Sequence, residues 1–540
     1  MRKILYLVIA IVIGCNPVFA QPTHIEKSEA FDEPGDGWNK VLMLKNGNTF
    51  FFHFSKKNGI EINVFDKSRK VTSTKEITSD LWETKKMRNT LIAGLYEINN
   101  EPVLFMVQME GRLPTMYRLR FNGYTGDVVK EEVVGTLPKV KIISFGDEVN
   151  TVYIEKDKES DCYAAIFFNN TVGDKDERIK VMHFDGSHKV ISEAFYDCPN
   201  DDFRFLKFIG AVVDGNKRVY LSTYGAKTLR GKEGNVFISC LKAGEKTFVT
   251  KPLKFSDDFK DTRSLMEYNR TNNTIQLMTL SFTKGKVSFM GNEAMGQYMS
   301  IMSYIDPENL ELKSVKPLQG SKVNEYVRSN VNAKRDYRGL PQQMVINKDG
   351  STTLLSEEQT QAITVDQYGN VVQAQTFLGA IGINELNADG TEKSGYAMLK
   401  MQDAAGLFDP LYIASRQKGR WAYIQGFADH NSYMSYDYVN TDKGRYIIFN
   451  DNPKNFDKDE DQKARKMVIN INKLNTICYS MNGDKVNKFY LFGNPEDKDQ
   501  SNSCHIEASD IDQTTGTYAT IMIERNGRDR QAKMVWVKFE

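Results

Sequence analysis

A turn signal returns along this chain about every sixty residues, and a fixed period of that kind commits a chain to a repeat architecture. The signal is an apolar residue, then Asp or Asn, then a few polar residues and an apolar strand. Phe65-Asp66 leading to Val71, Phe184-Asp185 leading to Val190 and Val365-Asp366 leading to Val371 share one spacing. Looser forms start at Phe121-Asn122, Ile305-Asp306 and Met481-Asn482, and Ala243-Gly244 fills the slot between Asp185 and Asp306. Asp66, Asp185 and Asp366 are read as turn formers, since an Asp side chain bonds nearby backbone amides.

A second turn class alternates with the first. Short Asn/Asp/Gly turns, which supply the positive φ of a tight hairpin, stand at Asn46-Gly47, Asp214-Gly215, Asn272-Asn273, Asp349-Gly350, Asp389-Gly390, Asp442-Lys443-Gly444 and Thr515-Gly516. The segments between turns are rich in Val, Ile, Tyr, Phe and Thr, as in Thr49 to Phe54 and Arg445 to Phe449. Those residues suit strands, and long helical periodicity is absent. Two alternating turn classes per period mean four strands per unit: A, a tight turn, B, a variable loop, C, a polar turn, D. The expected fold is all-β: a single large propeller of four-stranded antiparallel blades, whose sheet edges stay short and protected.

The chain end implies how the ring closes. An A-like strand near His505 to Ala508, a B strand at Tyr518 to Glu524 and a C strand at Lys533 to Phe539 leave no D strand, so Ile25 to Phe31 is expected to supply it. Eight blades is the reading, within a range of seven to nine. It depends on residues 379–428, which form either an insertion or an extra blade, with strands expected at Tyr396 to Met401, Leu411 to Ser415 and Trp421 to Phe427. Two stacked all-β domains dividing near residue 330 are the competing arrangement.

The N-terminus reads as a leader. Arg2 and Lys3 precede a ten-residue apolar run, Ile4 to Ile13, and Val18-Phe19-Ala20 offers a cleavage site after Ala20. Residues 1–20 are therefore expected to be a signal peptide and 21–540 the propeller, exported to the periplasm, the outer surface or the medium. Val12-Ile13-Gly14-Cys15 resembles a bacterial lipobox, so a lipid on Cys15 is the alternative and would tether the chain to a membrane. Five further cysteines (Cys162, Cys198, Cys240, Cys478, Cys504) are too few and too scattered for a disulfide scaffold. Cys162 with Cys198, or Cys478 with Cys504, are the pairs an oxidising compartment would allow.

Around residues 340–455 the sequence resembles secreted, functionally uncharacterised β-propeller-like proteins of Bacteroidota. The residues that carry this are Leu354 to Gln359, Tyr433-Met434-Ser435-Tyr436 and Arg445 to Asn455. The resemblance covers about a fifth of the chain; it implies fold and compartment and no activity.

Chemistry is sparsely signalled. With 71 basic and 70 acidic residues the net charge is +1, which gives no support for a nucleic-acid partner. Asp457, Asp459 and Asp461 alternate as in the opening of a calcium loop, but Gln462 and Val468 stand where an EF-hand needs Gly and Glu; calcium is at most a weak candidate there. The six histidines have no zinc-ligand spacing. There is no Gly-x-Ser-x-Gly elbow and no phosphate-binding glycine loop. A propeller glycosidase or lyase would bring carboxylates, Tyr or His together at the channel.

The loops point elsewhere. Long B–C loops are expected at Gly225 to Gly234, Thr283 to Gln297 and Asp451 to Lys466, all on one face. The candidate binding residues there are Lys227, Arg230 and Lys232, with Met290, Met295 and Met299 as an adaptable apolar patch. The functional expectation is a non-catalytic exported propeller that binds an envelope protein or glycan through this face. A carbohydrate-active or other hydrolytic enzyme, and a lipid-anchored structural component, are the alternatives.

Overall fold

The computed structural model describes residues 24–35, 37–83, 87, 89–139, 150–170, 172–199, 203–227, 234–253, 262–284, 297–331, 335–368, 371–422, 429–442, 444–458, 465–482, 485–495 and 500–539. Alternation of apolar and polar residues, punctuated by tight turns, folds these into eight antiparallel sheets, each built on four strands, with a short fifth strand added in three of them. Their innermost strands, A, are Trp38–Met43, Thr90–Ile98, Asn150–Lys156, Phe205–Asp214, Arg263–Asn269, Leu340–Ile346, Asp437–Asn440 and Gln500–Cys504. They define blades 1 to 8 of a β-propeller.

Blade 8 is closed by the N-terminus. His24–Lys27 pairs antiparallel with the last strand, Asp529–Lys538, with His24 opposite Lys538 and Lys27 opposite Val535. Ser28 N then donates to Met534 O at 2.9 Å, and Phe31 bridges Ala532. The missing D strand therefore comes from the segment the sequence nominated, and the open edge of the C strand is covered. Blade 8 also departs from its expected layout. Its A strand stops at Cys504, and residues 505–509 bulge out before Asp510–Asp512 resumes pairing with strand B.

The middle strands of a blade are buried on both faces, which is why they read as nearly continuous apolar runs, whereas the outer D strands are partly exposed. In Thr49–Ser55, strand B of blade 1, Phe50, Phe52 and Phe54 pack toward blade 2 with Leu104, Met106 and Leu119. Phe51 points the other way and joins Trp536 of blade 8. A period of two, apolar on both faces, is the signature of a strand between two sheets. Each buried Phe contributes about 1.5–3 kcal/mol of hydrophobic stabilisation.

The turn chemistry holds in detail. Asp66 Oδ1 accepts from Ser68 N (2.8 Å) and Lys70 N (3.0 Å), and Asp185 Oδ1 accepts from Ser187 N and Lys189 N (2.9 Å each). Asp366 bonds Tyr368 N in the same way, but its turn joins strands B and C of blade 6, Thr352–Val365 and Val371–Leu386. The C–D turn of that blade is Asn387–Thr391, built on Asp389-Gly390. Local chemistry thus located both turns and could not say which end of a blade each belongs to.

Residues 379–398 complete strand C and supply strand D of blade 6. Beyond them, Gln402–Ala405 and Trp421–Ala422 are extended, whereas Leu411 to Ser415 is not a strand: after a first helix, α1 (Ser321–Asn330), Tyr412–Gln417 forms a second, short one, α2. Residues 423–427 of the expected strand lie outside the described residues. All five cysteines after residue 20 are buried, and none is in a disulfide. No helix among the described residues is long and apolar enough to cross a membrane.

Candidate functional site

The centre of the ring is occupied by the chain itself. Between blades 6 and 7 the backbone leaves strand D, and the described residues there, 399–422 and 429–436, reach the innermost strands of blades on opposite sides. Trp421 and Ala422 pair with Ile92 and Leu91 of blade 2, and Arg420 donates to Val152 O (2.6 Å) and Thr151 Oγ1 (2.7 Å) of blade 3. Lys418 pairs with Glu155 of the same strand at 2.6 Å. Trp421 stacks on Trp38 of blade 1, and α2 packs against strand A of blade 6. A segment that touches the inner strands of four blades, two of them diametrically opposed, crosses the axis; we call it the plug.

Buried charge holds the plug in place. Lys400 Nζ lies 2.6 Å from Glu357 Oε1, and Glu357 also accepts from Tyr412 Oη (3.0 Å) and Ser435 Oγ (3.1 Å). Arg416 of α2 pairs with Asp437 of blade 7 at 2.6 Å, and Tyr518 Oη donates to the other Asp437 oxygen at 2.9 Å. Gly419 has φ +66°, and a Cβ there would meet Leu95 N at 2.9 Å; only glycine permits the approach.

A four-residue polar cluster sits where the plug ends, on the face bearing the B–C and D–A connections. Tyr433 Oη donates to Glu33 Oε1 at 2.5 Å and accepts from Arg530 Nη2 at 2.6 Å. Arg530 also bonds Glu33, and His505 Nε2 lies 3.3 Å from Glu33 Oε1. Burial opposes the Glu33 carboxylate, but bonds from His505 and Tyr433 and the Arg530 charge outweigh it, so its pKa falls below the usual value. Burial and Glu33 together push the Tyr433 phenol up. The cluster thus pairs an ionised carboxylate with a firmly protonated phenol, and Tyr433 and His505 are sealed from solvent at 1% and 2% exposure. A general base must reach its substrate's proton, and neither group faces outward here. None of the four stands out in the sequence as a site residue, because Glu33 and Arg530 are 497 residues apart.

The opposite face is stitched shut by its tight turns. Asp157 of blade 3 accepts from Gly215 N of blade 4 (3.1 Å) and from Arg270 of blade 5 (2.7 Å). Lys45 of blade 1 pairs with Glu97 of blade 2 (3.2 Å) and Asp161 of blade 3 (2.8 Å). Asn269 and Asn272 of blade 5 both donate to Gly350 O of blade 6. Bonds that skip a blade require the A–B turns to converge near the axis.

The long B–C connections lie on the other, loop-bearing face. Lys227 is exposed at the root of the blade 4 loop, whereas Arg230 and Lys232 fall outside the described residues. Met290 and Met295 also fall outside them. Met299 is within strand C of blade 5, Gln297–Ile305, packed against the core between blades 4 and 5 rather than in a loop patch. Pairing with strand B draws it into the sheet. Asp457 is exposed; Asp459, Asp461 and Cys15 lie outside the described residues, as does the expected leader. Among the described residues no three His, Cys, Asp or Glu side chains are grouped to hold a metal. An open cleft of about 560 Å³ between blades 3 and 4 is lined by Gly173, Asp174, Lys175, Arg178, Phe203 and Arg204.

Among the described residues the longest excursion on that face is a hairpin. Strand A of blade 6 pairs with strand B only as far as Glu357, so Gln359–Val365 with its partner Val371–Leu378 runs on roughly 20 Å past it. One side of the extension takes up Gln402–Ala405 from the plug. At the tip, Tyr368 is 80%, Val371 61% and Val372 66% exposed.

Solved structures similar to the chain include the polysaccharide lyase Uly1, with TM-score 0.40 and 9% identity over 83% of this chain and 90% of that one. Prolyl oligopeptidase B from Galerina marginata gives TM-score 0.39 and 9% identity over 91% of this chain and 56% of that one. A GH43 endo-arabinanase from Bacillus licheniformis gives TM-score 0.24 and 12% identity over 52% of this chain and 98% of that one. No family profile and no curated protein matches the chain.

Proposed function

We propose that this chain is an exported, non-catalytic propeller that recognises an envelope macromolecule, protein or glycan, with its loop-bearing face. The observation that carries the reading is the plug. The described residues of the plug, 399–422 and 429–436, take up the axial position and are tied to the surrounding blades by buried ion pairs, Arg416 with Asp437 and Lys400 with Glu357. The acid–base groups nearest that mouth, Tyr433 and His505, are turned into the protein. Recognition then falls to the rim, where connections are long and the blade 6 hairpin carries Tyr368, Val371 and Val372 into solvent. Export rests on the leader sequence and Ala20, with lipidation of Cys15 as the tethered form.

The test pairs binding with turnover. The mature chain is applied to an array of envelope glycans and purified outer-surface proteins, and each glycan is also assayed for new reducing ends and unsaturated products. Saturable binding without product release is the expected result. Turnover of any glycan would overturn it in favour of a carbohydrate-active enzyme. Intact-mass measurement on the exported protein separates a free Gln21 terminus from a lipid on Cys15.

A further inference from the structure

Where the plug meets blades 1, 7 and 8, five buried charged groups among the described residues face one another around Lys40, and only four of them cancel. Lys40 of blade 1 and Arg416 of the plug bring two cations into the interior, both buried. Asp437 matches Arg416 at 2.6 Å, and Asp510 is the main electrostatic partner of Lys40, whose Nζ also donates to Ser509 O at 2.5 Å. Burial drives the Lys40 pKa down and the Asp510 pKa up, so this second pair stays neutral overall whichever partner holds the proton.

Glu507 is the fifth group. It sits in the bulge of blade 8, where its backbone N donates to Ser432 O of the plug at 3.1 Å. Its carboxyl bonds the indole of Trp38, and Oε2 is buried with no hydrogen-bond partner. Tyr518 also faces the seam, committed to Asp437. With the other four charges balanced, the seam is neutral only while Glu507 carries a proton. A lone carboxylate in that position must recruit water, and water enters only if the packing around it parts.

We propose that Glu507 is a proton-operated latch between ring and plug: protonated, it lets α2 and residues 429–436 seat against blades 7, 8 and 1, and ionised it admits water and loosens them. Burial, opposed by Arg416 and Lys40, raises its pKa to about 7, which places the change near neutral pH. The latch would set how firmly the loop-bearing mouth is closed.

The protein carries its own reporter. Trp38, bonded to Glu507, is stacked on Trp421 of the plug with ring centroids 5.7 Å apart and planes 3° apart. Stacked indoles couple excitonically, so circular dichroism of the full chain reads plug seating. Hydrogen exchange at Tyr412–Gln417, corrected for the intrinsic pH dependence of exchange, gives a second readout. As pH rises from about 5 to 9, the couplet is expected to weaken and α2 protection to fall about tenfold, with a midpoint near 7. Glu507→Gln should hold both signals at their low-pH values, and Trp421→Phe should remove the couplet and so assign it. Lys40→Gln, which removes a cation facing Glu507, should move the midpoint upward. Identical pH curves in wild type and Glu507→Gln, flat curves in wild type, or an unmoved midpoint in Lys40→Gln would each overturn the proposal.

Discussion

Lys400 Nζ and Glu357 Oε1 are 2.6 Å apart, and neither side chain has any exposure to solvent. The pair joins strand B of blade 6 to the first residues of the plug. Burial pushes the Lys400 pKa down while Glu357 pulls it up, so the charge on Lys400 depends on its partner's presence. Removing one partner strands the other in a low-dielectric interior. Lys400→Met or Glu357→Leu alone is expected to destabilise the protein by about 3–5 kcal/mol, and the double variant by markedly less. Chemical denaturation of the four proteins measures it, and simple additivity would show that the pair is not coupled.

Ring closure gives a second expectation. Deleting residues 24–31 uncovers the edge of Asp529–Lys538 and removes the contact of Ile25 with the core shared by blades 7 and 8. The shortened chain should melt at lower temperature and self-associate through that edge, as scanning calorimetry and light scattering would report. An unchanged melting curve would mean that blade 8 is stable without its fourth strand.

Gly419→Ala tests the crossing of the plug over blade 2. At φ +66°, with Leu95 N 2.9 Å from the new Cβ, the substitution strains the backbone and displaces the neighbouring strand. A loss of more than about 1 kcal/mol is expected, larger than for Gly406→Ala, where φ is also positive but space is open.

Glu33 supplies a pH-dependent term of definite sign. Its folded pKa lies below the unfolded value of 4.5, so its contribution is complete above 4.5 and is lost as pH falls through the lower folded value. Glu33→Gln should therefore lower the melting temperature at neutral pH, and the difference from wild type should shrink at pH below about 4. Melting curves across pH 3 to 7 check this; a constant difference would place its role in packing rather than charge.

The hairpin tip separates recognition from stability. Replacing Tyr368, Val371 and Val372 with Ser touches only exposed side chains, so stability should change by less than about 0.5 kcal/mol for each. Affinity for the bound macromolecule should fall, as surface plasmon resonance on immobilised ligand would register. Unchanged affinity would move the recognition surface to another part of the rim.

Sequence alone determined what is local and periodic in this protein. An Asp that accepts from the backbone two and four residues on makes the same turn wherever it stands, so Asp66 and Asp185 were legible before any contact was known. Four strands per period followed from alternating turn classes, and a final blade short of one strand pointed to Ile25 as the donor. Tertiary structure alone decided which face each turn serves, as Asp366 shows by making the same turn at the opposite end of its blade. It also decided that residues 399–422 and 429–436 turn inward, and that Glu33, Tyr433, His505 and Arg530 meet. The physical reason is range. Turn and strand preferences are set within a few residues, whereas a channel is filled by side chains whose neighbours exist only once all eight blades have closed around it.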